Sequence, residues 1–248
     1  MDAQKTALIT GGMGGLGEAI CQKLAKADYR VITTYSPKND NAELWLQSQA
    51  DAGFNFSAYM IDVADHASCE AGVGKILNDI GRIDVLVNNA GITRDAALSK
   101  MTPENWRLVM RTNLDSAFHM TRQVLDNMLE REWGRIINIS SVNAQQGSVG
   151  QINYAAAKAG IHGFTKSLAL EVAPKGITVN TVSPGYLRTW MVTKIPAEIL
   201  RTKILPQIPL GRLGEPEEVA GLIAYLSSDE AGFVTGANIA INGGQHMY

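Results

Sequence analysis

Three side chains within residues 141–158 have the chemistry to move a proton together: the hydroxyl of Ser141, the phenol of Tyr154 and the ammonium of Lys158. Residues 152–173 are rich in alanine and contain no proline, so the pattern predicts a helix, and the i, i+4 spacing puts Tyr154 and Lys158 on one face of it. A free tyrosine, with a pKa near ~10, is a poor partner for proton exchange with a carbonyl oxygen at neutral pH. An ammonium about 4 Å away, at an effective dielectric near 20, favours the phenolate by roughly 4 kcal/mol, or about three pKa units. The expectation is a phenol that titrates near neutrality. Ser141 follows the apolar run Arg135-Ile136-Ile137-Asn138-Ile139 and is expected at a strand terminus. Open α/β sheets hold ligands there, and its hydroxyl would bond a carbonyl undergoing reduction. The same Tyr and Lys spacing also suits an ordinary solvated helix surface, so the pair takes its meaning from its surroundings.

Those surroundings begin at Thr6-Ala7-Leu8-Ile9-Thr10, a short apolar strand pattern running into Gly11-Gly12-Met13-Gly14-Gly15-Leu16-Gly17. A helix is expected over about residues 15–27. Strand, glycine turn and helix together make a phosphate cradle, because glycines admit close backbone approach while helix N–H groups face the anion. The other reading is a turn that needs positive φ. Residues 30–34 form a second expected strand. After it, Tyr35-Ser36-Pro37-Lys38-Asn39-Asp40 is where a dinucleotide-binding unit reads the adenosine ribose. The strand end itself carries no acid to bond a 2′-hydroxyl, and Lys38 suits a phosphate contact or a solvated loop equally. A third strand over residues 55–61 ends at Asp62-Val63, which fits an adenine edge or a helix cap.

A fourth strand, residues 84–88, is followed by Asn89-Ala90-Gly91, small enough to let a cofactor lie against backbone. Pro103 starts a helical stretch, and Asn113 lies just beyond a turn of it; alone it says little. A fifth strand ends at Ser141, a sixth covers residues 177–183, and Pro184-Gly185 returns the chain to the site. Residues 186–212 lose the strand pattern and contain Pro196, Pro206 and Pro209, so mobile helices and loops forming a substrate lid are expected there. An amphipathic helix over residues 215–227 and a last strand over 238–242 follow.

Strands and helices alternate throughout, which places all 248 residues in one α/β domain, long enough to bury a large core. A net charge of −2 offers no broad basic field for nucleic acid or anionic membrane, so a small-molecule partner is expected. Cys21 and Cys69 are too few for a disulfide framework and show no zinc-ligand spacing, and no metal is expected. The chain enters a strand at once, without a signal-like apolar core or a membrane-length run, and a soluble, cytoplasmic protein is expected.

In order along the whole chain, Gly11-x-x-x-Gly15-x-Gly17, Asn88-Asn89-Ala90-Gly91, Ser141, Tyr154-x-x-x-Lys158 and Pro184-Gly185 resemble the short-chain dehydrogenase/reductase family. The resemblance implies a Rossmann-type, doubly wound parallel sheet of seven strands with helices on both faces. It implies Tyr154 as general acid/base, Ser141 as carbonyl binder, Lys158 on the nicotinamide ribose, and Asn113 anchoring a proton-relay water. A nicotinamide cofactor would lie along Gly11, Met13, Gly14, Gly15, Leu16, Gly17, Tyr35, Lys38, Asp62, Val63, Asn89, Ala90, Gly91, Tyr154, Lys158, Pro184 and Gly185.

Within that family, Asn88-Asn89-Ala90-Gly91-Ile92-Thr93-Arg94-Asp95, Ile139-Ser140-Ser141-Val142-Asn143, Val182-Ser183-Pro184-Gly185-Tyr186 and Asn242-Gly243-Gly244-Gln245-His246-Met247 are similar to the acetoacetyl-CoA reductase subgroup. That similarity implies reduction of acetoacetyl-CoA to (3R)-3-hydroxybutyryl-CoA, as in polyhydroxybutyrate synthesis, by a homotetramer. The acyl-CoA would lie against Asp95, Lys100, Gln151 and Tyr186. Two positions depart from the subgroup. Ser148-Val149 stand where its better-known members have Gln-Phe, which removes an aromatic wall from the acyl site. Asn41 stands in place of an arginine, which leaves NADP(H) only slightly favoured over NAD(H). A second reading is 3-oxoacyl-(acyl-carrier-protein) reductase, whose acidic carrier would need a basic patch, for which Arg94, Lys100, Arg188 and Lys194 are the candidates. A remote third is a nucleotide-sensing protein without turnover.

Overall fold

The computed structural model describes residues 4–189, 192 and 195–247. Seven strands form one sheet: β1 (Thr6–Thr10), β2 (Arg30–Tyr35), β3 (Ser57–Met60), β4 (Val85–Asn88), β5 (Gly134–Ile139), β6 (Ile177–Pro184) and β7 (Asn238–Ile241). Every neighbouring pair is parallel, in the order β3-β2-β1-β4-β5-β6-β7. The order reverses between β1 and β4. Beyond the carboxyl ends of these two strands the chain diverges to opposite sides and leaves the crevice in which such sheets hold ligands.

The helices are α1 (Gly15–Lys26), α2 (Ala42–Asp51), α3 (His66–Ile80), α4 (Pro103–Met110), α5 (Ser116–Glu130), α6 (Asn143–Gln146), α7 (Ile152–Val172) and α8 (Pro216–Ser227). Because strand side chains alternate faces, β1 sends Ala7 and Ile9 into one core and Leu8 into the other. The first core joins the sheet to α1 and α8 through Ile20, Leu24, Val219 and Ile223. The second joins it to α3, α5 and α7 through Val73, Met120, Val124 and Leu168. The central strands are therefore covered on both faces, which is why they read as unbroken apolar runs.

Most strand bounds fall within a residue of those expected, and the larger differences bear on the site. β5 stops at Ile139, so Ser141 stands two residues beyond the strand. β3 covers only Ser57–Met60. Asn113 lies inside a π-helical turn, Arg111–Asp115, that joins α4 to α5 without a break. The described residues of 186–212 include short turns of helix, Ala197–Ile199 and Leu205–Gln207, around a small core of Ile204, Ile208 and Leu213. Positions 190, 191, 193 and 194 of that stretch, Lys194 among them, lie outside the described residues. Among the described residues no helix is long and apolar enough to cross a membrane, and no cluster of three His, Cys, Asp or Glu side chains could hold a metal ion.

A buried polar ladder runs across the middle of the sheet and fixes the two helices that reach the crevice. Asn88 of β4 donates to Thr121 of α5 at 3.2 Å and to Asn138 of β5 at 2.8 Å. Asn138 donates to Thr165 of α7 at 2.9 Å, and Thr165 lies 2.7 Å from the Thr181 hydroxyl of β6. With Asn138 and Thr181 wholly buried, water cannot replace a lost partner. We expect Asn138→Ala to cost about 2–3 kcal/mol, seen as a lower urea midpoint at unchanged slope. A loss below about 1 kcal/mol would show that the ladder is dispensable.

Candidate active site

Three consecutive residues at the end of β5 each engage α7. The carbonyl of Ile139 accepts from Lys158 Nζ at 2.7 Å. The Ser140 hydroxyl donates to the Lys158 carbonyl at 2.8 Å and lies 2.9 Å from His162 Nε2. Ser141 hydrogen bonds to the phenol of Tyr154, and its oxygen accepts the N–H of Asn143 at 3.1 Å. The serine, tyrosine and lysine picked out by spacing are thus brought together.

The electrostatics differ from those expected. Lys158 is 3% exposed, and burial pushes its amine from an ordinary 10.5 down to about 8. Its Nζ donates to the Ile139 carbonyl and stands 5.9 Å from the centre of the Tyr154 ring. The phenol is held above its ordinary pKa: burial is the largest cause, Asp95 adds to it, and the Ser141 bond opposes it. Expecting a tyrosine near neutrality neglected that desolvation acts on both partners, disfavouring phenolate and ammonium alike.

Asn113 is 1% exposed and fully engaged. Its amide oxygen accepts the Ile92 N–H at 3.0 Å, and its nitrogen donates to the carbonyls of Ile92 at 2.9 Å and Val109 at 2.8 Å. A β-carbon on Gly91 would lie 2.6 Å from that oxygen and 3.5 Å from Lys158 Nζ, so only glycine fits between them. Asn113 and Lys158 therefore border the same small space.

A cavity of about 830 Å³ runs from the glycine turn to Gln151. Gly11, Gly14, Gly15, Leu16 and Gly17 line one end, with Lys38, Asp62 and Val63 beside them. Asn89, Ala90, Gly91, Ser141, Tyr154, Lys158, Pro184 and Gly185 form its middle, and Gln151 and Tyr186 its far wall. Gly11 has φ +65°, the left-handed turn for which glycine is needed, and Gly17 packs so tightly on Gly11 that no side chain would fit. Gly14, the residue that caps α1, offers no side-chain acceptor to the helix's first N–H groups. A glycine cradle with unclaimed helix N–H groups fits a pyrophosphate. The Asp62 carboxylate accepts from Ala64 N–H at 3.0 Å, while Asp65 caps α3 by accepting from Ser68 N–H at 2.7 Å, so Asp62 is not the helix cap.

Other expected residues stand off the cavity wall. Met13 Sδ accepts from Asn39 at 3.4 Å, and Tyr35 ends β2, both outside the lining. Asp95 accepts from Gln151 Nε2 at 2.8 Å, and Gln151 Oε1 accepts from Asn143 Nδ2 at 2.8 Å, forming a polar rim. Lys100 ends a short 3-10 turn, Leu98–Lys100. Ser148 and Val149 do not line the cavity, and Val149 is wholly exposed. Arg188 is paired with Glu215 at 2.8 Å and does not join the patch drawn for it. The wall also includes Ser36 and Ile92, which lie inside the quoted motifs but were given no role of their own, and Thr34, Arg111 and Thr189, which no motif contains. Ile92 directly follows Asn89-Ala90-Gly91 and was open to inference; Arg111 and Thr189 reach the wall only through tertiary packing.

A parallel sheet with a ligand crevice at its switch point, a glycine phosphate cradle and a Ser-Tyr-Lys cluster define a nucleotide-binding oxidoreductase architecture. The short chain dehydrogenase family model matches residues 5–199, and the chain belongs to that family of nicotinamide-dependent oxidoreductases. It is 54% identical over 244 residues to the acetoacetyl-CoA reductase of Cupriavidus necator, covering 98% of this chain and 99% of that one. It is 51% identical to the acetoacetyl-CoA reductase of Shinella zoogloeoides, with 97% and 98% covered. It is 46% identical to the 3-oxoacyl-(acyl-carrier-protein) reductase of Vibrio cholerae, with 98% of each covered.

The buried ammonium sets a measurable conflict between stability and function. At pH 7, below about 8, the folded chain carries the charge against a cost of about 3 kcal/mol; that cost fades as pH rises from about 8 toward 10.5. Lys158→Met, without cofactor, should therefore raise stability at pH 7 by about 1–2 kcal/mol after loss of the Ile139 bond. Thermal melts should show a gain of a few degrees that shrinks above pH 8. A lower melting point at pH 7 would contradict this.

Proposed function

We propose that this chain reduces the 3-carbonyl of a short 3-oxoacyl-CoA, acetoacetyl-CoA foremost, to the (3R)-3-hydroxyacyl-CoA, in the cytoplasm and within polyhydroxybutyrate synthesis. What carries the reading is the Ser141 to Tyr154 hydrogen bond, with Lys158 beneath it, at the junction of the glycine-lined trough and the Gln151 rim. The bound nicotinamide supplies the hydride. Ser141 and Tyr154 hold the carbonyl oxygen, and Tyr154, kept protonated at neutral pH by its raised pKa, gives its proton to that oxygen as negative charge develops. Lys158 holds the nicotinamide ribose, and Asn113, its side chain committed to Ile92 and Val109, anchors through its backbone a water by which the phenol is reprotonated. Gly11, Gly14, Gly15, Leu16 and Gly17 hold the pyrophosphate, with Asp62 and Val63 at the adenine edge. Residues 186–212 act as the lid, in keeping with Tyr186, Leu187 and Thr189 on the cavity wall.

Two features favour a coenzyme A thioester over a carrier protein. The relatives named acetoacetyl-CoA reductase match at 54% down to 46%, most of them above the carrier-protein reductase at 46%. Arg188, one of the four cations considered for a basic docking rim, is paired with Glu215. For the cofactor, Lys38 is one exposed cation on the wall, which favours NADPH only slightly.

Initial rates on acetoacetyl-CoA and on the acetoacetyl carrier-protein thioester, with NADPH and with NADH, test this. The CoA thioester should have the higher kcat/KM at physiological salt, the two cofactors should differ less than about a thousandfold, and Tyr154→Phe should remove most turnover. Higher efficiency on the carrier-protein thioester would install the second reading, with the same proton chemistry. We also propose a homotetramer, supported by Leu108, Phe118, Ile152 and Leu170, which α4, α5 and α7 leave 40–81% exposed. Light scattering should give four times the chain mass of 26.7 kDa, and a monomer would refute it.

A further inference from the structure

The cavity wall carries four cationic side chains, Lys38, Arg94, Arg111 and Lys158, against one carboxylate, Asp62, among the described residues. The whole chain has a net charge of −2, so positive charge is concentrated where ligands enter. Three of the four have places along the dinucleotide trough. Lys38 follows β2, Arg111 donates to the Ala64 carbonyl at 2.9 Å beside Asp62, and Lys158 lies under Tyr154. Arg94 stands apart, three residues beyond Gly91, on the side where Gln151 and Asp95 form the rim.

The Arg94 guanidinium donates to the Thr93 carbonyl at 2.7 Å and makes no ion pair with any described carboxylate. The neighbouring Asp95 is taken by Gln151. Its loop, by contrast, is held firmly. The Arg94 carbonyl accepts from Asn153 Nδ2 at 3.0 Å, and Asn153 is wholly buried and adjacent to Tyr154 in sequence. Ala96 N–H donates to the Gly150 carbonyl at 2.8 Å. A permanent charge with a fixed backbone and no carboxylate partner, on the substrate side of the proton donor, is arranged for an anion that arrives with the substrate.

We propose that Arg94 recognises the phosphate groups of the coenzyme A portion of the thioester. This rests on the acyl-CoA reading above. Guanidinium N–H groups donate to phosphate oxygens, often in parallel pairs that a lysine cannot form. The phosphates lie far from the reacting carbonyl and change little as the reaction proceeds, so the contact acts on KM more than on kcat.

The test uses the full chain and two thioesters. Acetoacetyl-CoA carries the phosphates; the acetoacetyl thioester of N-acetylcysteamine keeps the reacting group and lacks them. Arg94→Ala should lower kcat/KM on the CoA thioester about tenfold, mostly through KM, and by at least about fivefold more than on the truncated thioester. Arg94→Lys should recover part of the difference. Equal losses on both thioesters, or a loss that falls on the KM of the nicotinamide cofactor, would overturn the assignment. If wild-type enzyme favours the CoA thioester and Arg94→Ala keeps that preference undiminished, the assignment fails and the acyl-CoA reading stands. If wild-type enzyme shows no preference between the two, both fail.

Discussion

The attachment of α7 to the end of β5 is the constraint on which the site depends. Ile139, Ser140 and Ser141 engage the Lys158 ammonium, the Lys158 carbonyl and the Tyr154 phenol in turn. A one-residue shift of the helix along the strand would break all three bonds and rotate the phenol off the cavity. The register is supported from below, where Thr165, two turns past Lys158, joins the polar ladder of Asn138 and Thr181. Catalytic geometry is thus held by the same hydrogen bonds that hold the sheet to its helices, with Ser140 and Ser141 just past the strand end tied directly to α7.

That attachment places a charge where burial opposes it. Lys158 is 3% exposed with one carbonyl partner, and no carboxylate pairs with it among the described residues. Asp84 contrasts with it at the opposite end of the strands, wholly buried but bonded to Arg82, Arg131 and the Thr6 N–H. One buried charge is saturated with partners and serves the fold. The other is left short of them at the site, as expected where polar groups are kept for a ligand.

The strand, glycine turn and first helix were legible because apolar periodicity and glycine spacing are local properties, and β1 and α1 fall close to their expected bounds. The seven-stranded parallel sheet followed from alternation and family resemblance together. The ionisation of Tyr154 was not legible. It depends on how deeply two side chains are buried and on a carbonyl, Ile139, that helix spacing does not include. Asn113 was ambiguous for a similar reason, because its partner Ile92 lies 21 residues away and meets it only through tertiary packing. Val149 shows the converse, since a position assigned by resemblance to an acyl wall is wholly exposed in this fold.

The π turn at Arg111–Asp115 amounts to one residue inserted into an otherwise continuous helix from Pro103 to Glu130. Seen as an insertion, it makes the local length of the chain a constraint in its own right. Deleting any one residue of the turn would restore regular α hydrogen bonding and make a better helix, yet swing everything on one side of it by about 100° relative to the other. Asn113 could then no longer face Ile92 while Met120 and Val124 kept their places in the core. The more regular chain would fold around a broken site, so ordinary measures of helical quality would favour the wrong sequence.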